Sequence, residues 1–209
     1  MAPSPSPDPP PGRLTLEEAG LLVDVADAAI VDGLLGRPPA PPAMPSLPPA
    51  LRRPVGAFVT LTVDGGLNGC IGSVTGREAL AAAVARHAWT AAFADPRLPV
   101  LRRHDHPRLG IGVSVLSPLT PVPTGSREDL LANLRPGVDG LVLAARRHQG
   151  VFLPAVWEKL PDPEVFLDHL LAKSGLRPGT WPGDVQASRF TVDTFTRAAG
   201  RPGAPARAA

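Results

Sequence analysis

Residues 56–73 constrain the fold more than any other stretch. From Gly56 to Val63 the residues Ala57, Val59, Leu61 and Val63 alternate with Phe58, Thr60 and Thr62, the period-two pattern of a strand with two unlike faces. Asp64-Gly65-Gly66 follows, and a turn of this chemistry reverses the chain tightly. Leu67 to Ser73 then returns as the partner strand, with Asn68 and Cys70 expected on one face and Leu67 and Ile71 on the other. The only cysteine of the chain therefore stands between two glycines on the return arm, where another group can approach the backbone closely.

The remaining elements are of uneven length. Thr15 caps a helix, with Glu18 three residues on and an apolar stripe of Leu21, Leu22, Val25, Ala28 and Ala29 that ends near Gly33. An alanine-rich helix is expected over 77–94, stopped by Asp95-Pro96. Leu109 to Leu116 reads as a strand with Leu109, Ile111, Val113 and Val115 inward. Ser126 opens a short helix, Leu141–Ala144 and Val151–Leu153 read as strands, and Pro163–Lys173 is a helix closing at Gly175. Arg189 to Phe195 is expected as one final strand. The prolines from Pro38 to Pro54 predict an extended strap without regular structure. Short adjacent strands interrupted by unequal helices do not make a βαβ series, so the fold class is α+β around an antiparallel or mixed sheet flanked by helices.

At 209 residues with a 44% hydrophobic share, the chain suits one domain, or one domain with a lobe. The expected organisation is a disordered Pro-rich tail over 1–12, a folded domain over 13–197 and a disordered tail over 198–209, the tails being poor in large apolar side chains. Net charge is only +2 and no run of like charge exceeds a pair, which disfavours a nucleic-acid groove. No segment is apolar enough to span a bilayer, and the N-terminus lacks the basic start and apolar run of a signal peptide. One cysteine cannot form an internal disulfide, and a cytoplasmic location is expected.

Several segments, taken in order, resemble one family. Gly56-Ala57-Phe58-Val59-Thr60-Leu61 precedes Leu67-Asn68-Gly69-Cys70-Ile71-Gly72. Ala91-Ala92-Phe93-Ala94-Asp95-Pro96-Arg97 and Val113-Ser114-Val115-Leu116-Ser117-Pro118 come next. Asp139-Gly140-Leu141, Phe152-Leu153-Pro154, Val156-Trp157-Glu158 and Lys173-Ser174-Gly175-Leu176 complete the series. Their order and spacing over residues 14–197 resemble the AMMECR domain family, whose bacterial form is the AmmeMemoRadiSam system protein A. The resemblance implies an α+β protein with a larger and a smaller lobe. It also implies action beside a Memo-like protein and a radical-SAM protein, with no activity assigned. Two positions depart from the family pattern: Asn68 stands where arginine is usual, and Leu98 where phenylalanine is usual.

Two readings of Cys70 stay open, a nucleophile or redox thiol in a cleft and a small apolar residue of the sheet. Around it, Asn68, Gly69, Gly72, Ser73, Asp95, Arg97, Asp139 and Lys173 are the candidate binding residues for a small polar or anionic ligand. Arg97 is considered as a bidentate fork for a carboxylate or phosphate, and as half of a local pair with Asp95. Ser73 and Thr75 equally satisfy a turn. His104-Asp105-His106 offers two imidazoles but no third ligand, so no metal and no cofactor are expected. The alternative to cysteine chemistry is a non-catalytic scaffold in the same pathway, with a nucleic-acid-associated regulator third.

Overall fold

The computed structural model of the protein describes residues 13–40, 42–145, 147–200 and 205–207. The expected tail over 1–12 lies outside them. The chain divides into two compact units, one from the segments up to Leu116 and from Asp193 onward, the other from Ser117 to Val192.

In the first unit, α1 (Leu16–Leu34) starts at a complete capping box, with Thr15 and Glu18 satisfying each other's backbone N–H groups. β1 (Ala57–Val63) and β2 (Gly66–Ser73) form the expected hairpin, with Asp64 and Gly65 both at positive φ. α3 (Leu80–Phe93) and β3 (Leu109–Leu116) follow. With β8 (Val192–Arg197) and β9 (Ala206–Arg207) they give a five-stranded sheet in the order β2-β1-β3-β8-β9. Ala57, Val59 and Leu61 of β1 and Ile111, Val113 and Val115 of β3 share one core with the apolar stripes of α1 and α3. The opposite face of the sheet carries Phe58, Thr60, Thr62, Gly110, Gly112 and Ser114, as the alternation in each strand requires.

The second unit is a four-stranded sheet in the order β4-β7-β5-β6, from β4 (Thr120–Val122), β5 (Gly140–Ala145), β6 (His148–Phe152) and β7 (Gln186–Phe190). α4 (Arg127–Ala132) and α5 (Pro163–Lys173) supply Leu130, Phe166, Leu167, Leu170 and Leu171 to its core. Two antiparallel sheets with flanking helices make the fold α+β.

Four expectations change. The strap contains a 3-10 turn at Met44–Ser46 and a helical turn, α2 (Pro49–Arg52), because proline is tolerated in a first turn, and buried Leu51 anchors it. The strand expected over 189–195 is two strands in two sheets. Ser117 Oγ takes the N–H of Thr191, and Ser117 N–H donates to the Thr191 carbonyl, so the ladder breaks there. Part of the expected C-terminal tail is ordered: Ala206 and Arg207 pair with Thr196 and Phe195, and the Arg207 guanidinium lies 5.2 Å from the Phe195 ring centroid. In the hairpin, an irregularity beside Leu61 sets Thr62 opposite Leu67 but Leu61 opposite Gly69. Leu67 is therefore on the Cys70 face rather than opposite it, and it is exposed.

Candidate functional site

Cys70 sits on an edge strand, whose outward backbone groups lack a neighbouring strand. The loop after α3 replaces that strand. Asp95 Oδ2 accepts the Cys70 N–H at 3.2 Å, and Arg97 Nη2 donates to the Cys70 carbonyl at 2.7 Å. Asp95 and Arg97 are themselves joined by two side-chain bonds, Nε to Oδ1 at 2.8 Å and Nη2 to Oδ2 at 2.7 Å, and the Arg97 N–H adds a third to Oδ1. The Asp95 side chain is 1% exposed, whereas that of Arg97 is 64% exposed. The guanidinium, helped by the two backbone N–H groups and opposed by desolvation, holds the Asp95 carboxyl well below the usual carboxylate range. The same pairing raises Arg97.

The sulfur is partly buried and accepts the Thr60 hydroxyl at 3.4 Å, from the residue directly across the hairpin. No imidazole or carboxylate of the described residues hydrogen-bonds to it. The glycines on either side have distinct reasons. A Cβ on Gly69 would stand 2.3 Å from the Ala91 carbonyl oxygen, so glycine is what lets β2 press against the end of α3 here. A Cβ on Gly72 would meet the Phe58 ring at 2.3 Å, and that ring lies over it. Asn68 donates from Nδ2 to the Pro99 carbonyl at 3.4 Å, while its buried Oδ1 has no partner among the described residues.

The other candidates serve local structure. Ser73 Oγ accepts from Thr75 N–H and donates to the Thr75 carbonyl, the turn alternative. Asp139, wholly buried in the second unit, accepts three bonds from the Arg135 guanidinium and one from its N–H, and its carbonyl takes the Trp157 indole N–H at 2.7 Å. Lys173 donates to the Val151 carbonyl at 2.8 Å and lies 5.1 Å from the Phe152 ring centroid. The structure thus gathers Cys70, Asp95 and Arg97 into one network, and holds Asp139 and Lys173 in networks of the second unit. Among the described residues no three His, Cys, Asp or Glu side chains are grouped as a metal ion needs, and no helix is long and apolar enough to cross a membrane.

Two participants carry no signal of their own in the sequence: Thr60, the hydrogen-bond partner of the sulfur among the described residues, and the Ala91 carbonyl that demands Gly69. Thr60 was accessible by counting back across the hairpin, except that the irregularity moves the count by one residue.

Comparison with known proteins bears on the family and the fold. The family model described as AMMECR1 matches residues 23–195. A protein of Thermofilum pendens is 35% identical over 201 residues, covering 88% of this chain and 92% of that protein. One of Methanothermobacter thermautotrophicus is 34% identical over 185 residues, covering 87% of this chain and 95% of that protein. The crystal structure of an uncharacterized protein from Pyrococcus horikoshii superposes with a TM-score of 0.80 at 31% identity, covering 92% of this chain and 97% of that one.

Proposed function

The chain belongs to the AMMECR1 family, and we propose that it works through the thiol of Cys70, in concert with a Memo-like protein and a radical-SAM protein. One observation carries the reading. Both backbone polar groups of Cys70 are gripped by Asp95 and Arg97, while among the described residues its sulfur has one neutral partner, Thr60, and the residue as a whole is only partly buried. The same contacts close the open edge of β2, and they also hold the thiol in one geometry, from which a nucleophile gains.

In this reading Asp95 and Arg97 are positioning residues. The Arg97 fork is spent on Asp95 and on the Cys70 carbonyl, so it orients the strand rather than a ligand anion. Thr60 directs the sulfur. Since no described imidazole or carboxylate reaches Sγ, the base that takes the thiol proton comes with the incoming partner or its substrate. That dependence gives the partner proteins a chemical role.

The test compares Cys70→Ser and Cys70→Ala with wild type in cells lacking the native gene, reading pathway output and pull-down of the two partners. Output lost with partner capture intact supports the proposal. Unchanged output in both variants overturns it and leaves the scaffold reading. In vitro, iodoacetamide should alkylate Cys70 in native buffer well before global unfolding.

A further inference from the structure

On the sheet face that carries Cys70, β1, β3 and β8 form a groove of about 440 Å³, within the ordinary range of small-ligand pockets. We infer that this groove is a binding site for a small, flat, uncharged heteroaromatic molecule of nucleobase or nicotinamide size, seated beside the thiol. The inference rests on the Cys70 reading and extends it by naming the class of molecule the site receives.

Four features select that class. The first is shape. Gly112 lines the groove, and a Cβ placed on it would meet nothing closer than the Thr60 carbonyl at 3.6 Å, the Thr196 methyl at 3.7 Å and the Thr60 Cβ at 3.8 Å, which are ordinary contacts. The strand does not need glycine there for its own packing, so the missing side chain leaves bare peptide planes as a flat floor. The second is hydrogen bonding. The side-chain hydroxyls of Thr62 and Thr196 line the groove without a hydrogen-bond partner among the described residues, while those of Ser114 and Thr194 are spent on each other at 2.9 Å. Two free hydroxyls, each donor and acceptor, match the ring nitrogens and carbonyls of a heterocycle. A purely aliphatic ligand would bury them unpaired.

The third feature is charge. Arg108 and Arg197 stand at the groove, yet Arg108 is paired with Asp64 and Asp105, and Arg197 with Asp24 at 2.5 Å and Asp27 at 3.3 Å. Among the described residues, these two guanidinium groups against four carboxylates leave no surplus positive charge, and an anion such as phosphate finds no free fork there. The fourth is location. Thr60 belongs to the groove and donates its hydroxyl to Cys70 Sγ, so an occupant of the groove sits one side chain from the sulfur.

The experiment records amide 1H–15N shifts of the full chain on addition of adenine, uracil or nicotinamide, with inorganic phosphate and glucose as controls. At least one heterocycle should move the amides of Thr62, Gly110, Gly112 and Thr196. Those shifts should vanish in Gly112→Val, which places a strand-favouring side chain on the groove floor, and weaken in Thr196→Val should the first variant fold poorly. They should persist in Cys70→Ser, which separates groove occupancy from thiol chemistry. In wild type the bound heterocycle should slow alkylation of Cys70. The inference is overturned if none of the three heterocycles moves these amides, if the shifts survive Gly112→Val in a folded protein, or if phosphate alone produces them.

Discussion

Asp95 and His87 are both buried and titratable in the first unit, and acid acts on them in separate windows. His87 lies on α3 at 3% exposure, with Nδ1 lacking a partner among the described residues. Desolvation first, then the charge of Arg86, lowers its pKa from 6.5 to about 4, with Glu78 opposing. The unfolded chain therefore takes up a proton near pH 6.5 that the folded protein refuses until about pH 4, and stability falls as pH drops through that interval, by about 3 kcal/mol in all. Asp95 acts further down. Its folded pKa is depressed, so its contribution is complete above the ordinary carboxylate value near about 4 and drains away only as pH falls below it. Urea unfolding at steps between pH 7 and pH 3 should therefore show two phases in wild type. His87→Gln should flatten the upper one, and Asp95→Asn should remove part of the lower one while loosening β2 at Cys70. An upper phase unchanged in His87→Gln would mean the imidazole is charged or solvated in the folded state.

Among elements, the ones announced by local chemistry were legible: the Thr15 capping box, the Asp64-Gly65 turn, β3 and the proline-started α5 match their expected positions. What escaped depended on distant partners. Pro121 concealed β4, which pairs with β7. Period-two alternation runs through Thr191 without a sign of the switch between sheets, which is set by Ser117 from seventy-odd residues earlier in the chain. At the site, the Gly-Cys-Ile-Gly segment pointed to Cys70, but the bond from Asp95 to its backbone and the hydroxyl of Thr60 required the register. The glycines of these strands separate in the same way. Gly69→Ala must push β2 off the Ala91 carbonyl, an overpacking cost of about 1–3 kcal/mol. Gly112→Ala meets nothing closer than 3.6 Å and should be neutral or slightly stabilising. Chemical denaturation of the two variants checks this, and equal losses would refute the packing of β2 on α3.

Over the whole molecule, the chain leaves the first unit at Leu116 and re-enters it at Asp193, so residues 117–192 form one continuous insertion. Its ends are tied to each other, Ser117 N–H to the Thr191 carbonyl at 2.9 Å and Thr191 N–H to Ser117 Oγ at 3.0 Å. Its core is complete within those limits: Leu141 and Leu143 of β5 meet Phe166, Leu167, Leu170 and Leu171 of α5, and the Trp157 ring stacks on Phe166 at 3.7 Å and 2°. The buried charge of Asp139 is also answered locally, by Arg135. A segment with joined ends, its own apolar core and its buried Asp139 charge answered from within has what independent folding requires. Expressed alone, residues 117–192 should unfold cooperatively, with a stability of only about 3–5 kcal/mol because so small a core buries little surface. The stacked Trp157–Phe166 pair should give the segment a near-ultraviolet circular dichroism band, which Phe166→Ala should abolish. A segment that kept helical signal but showed neither that band nor a cooperative transition would mean that its packing depends on the first unit, and that this core is not self-sufficient.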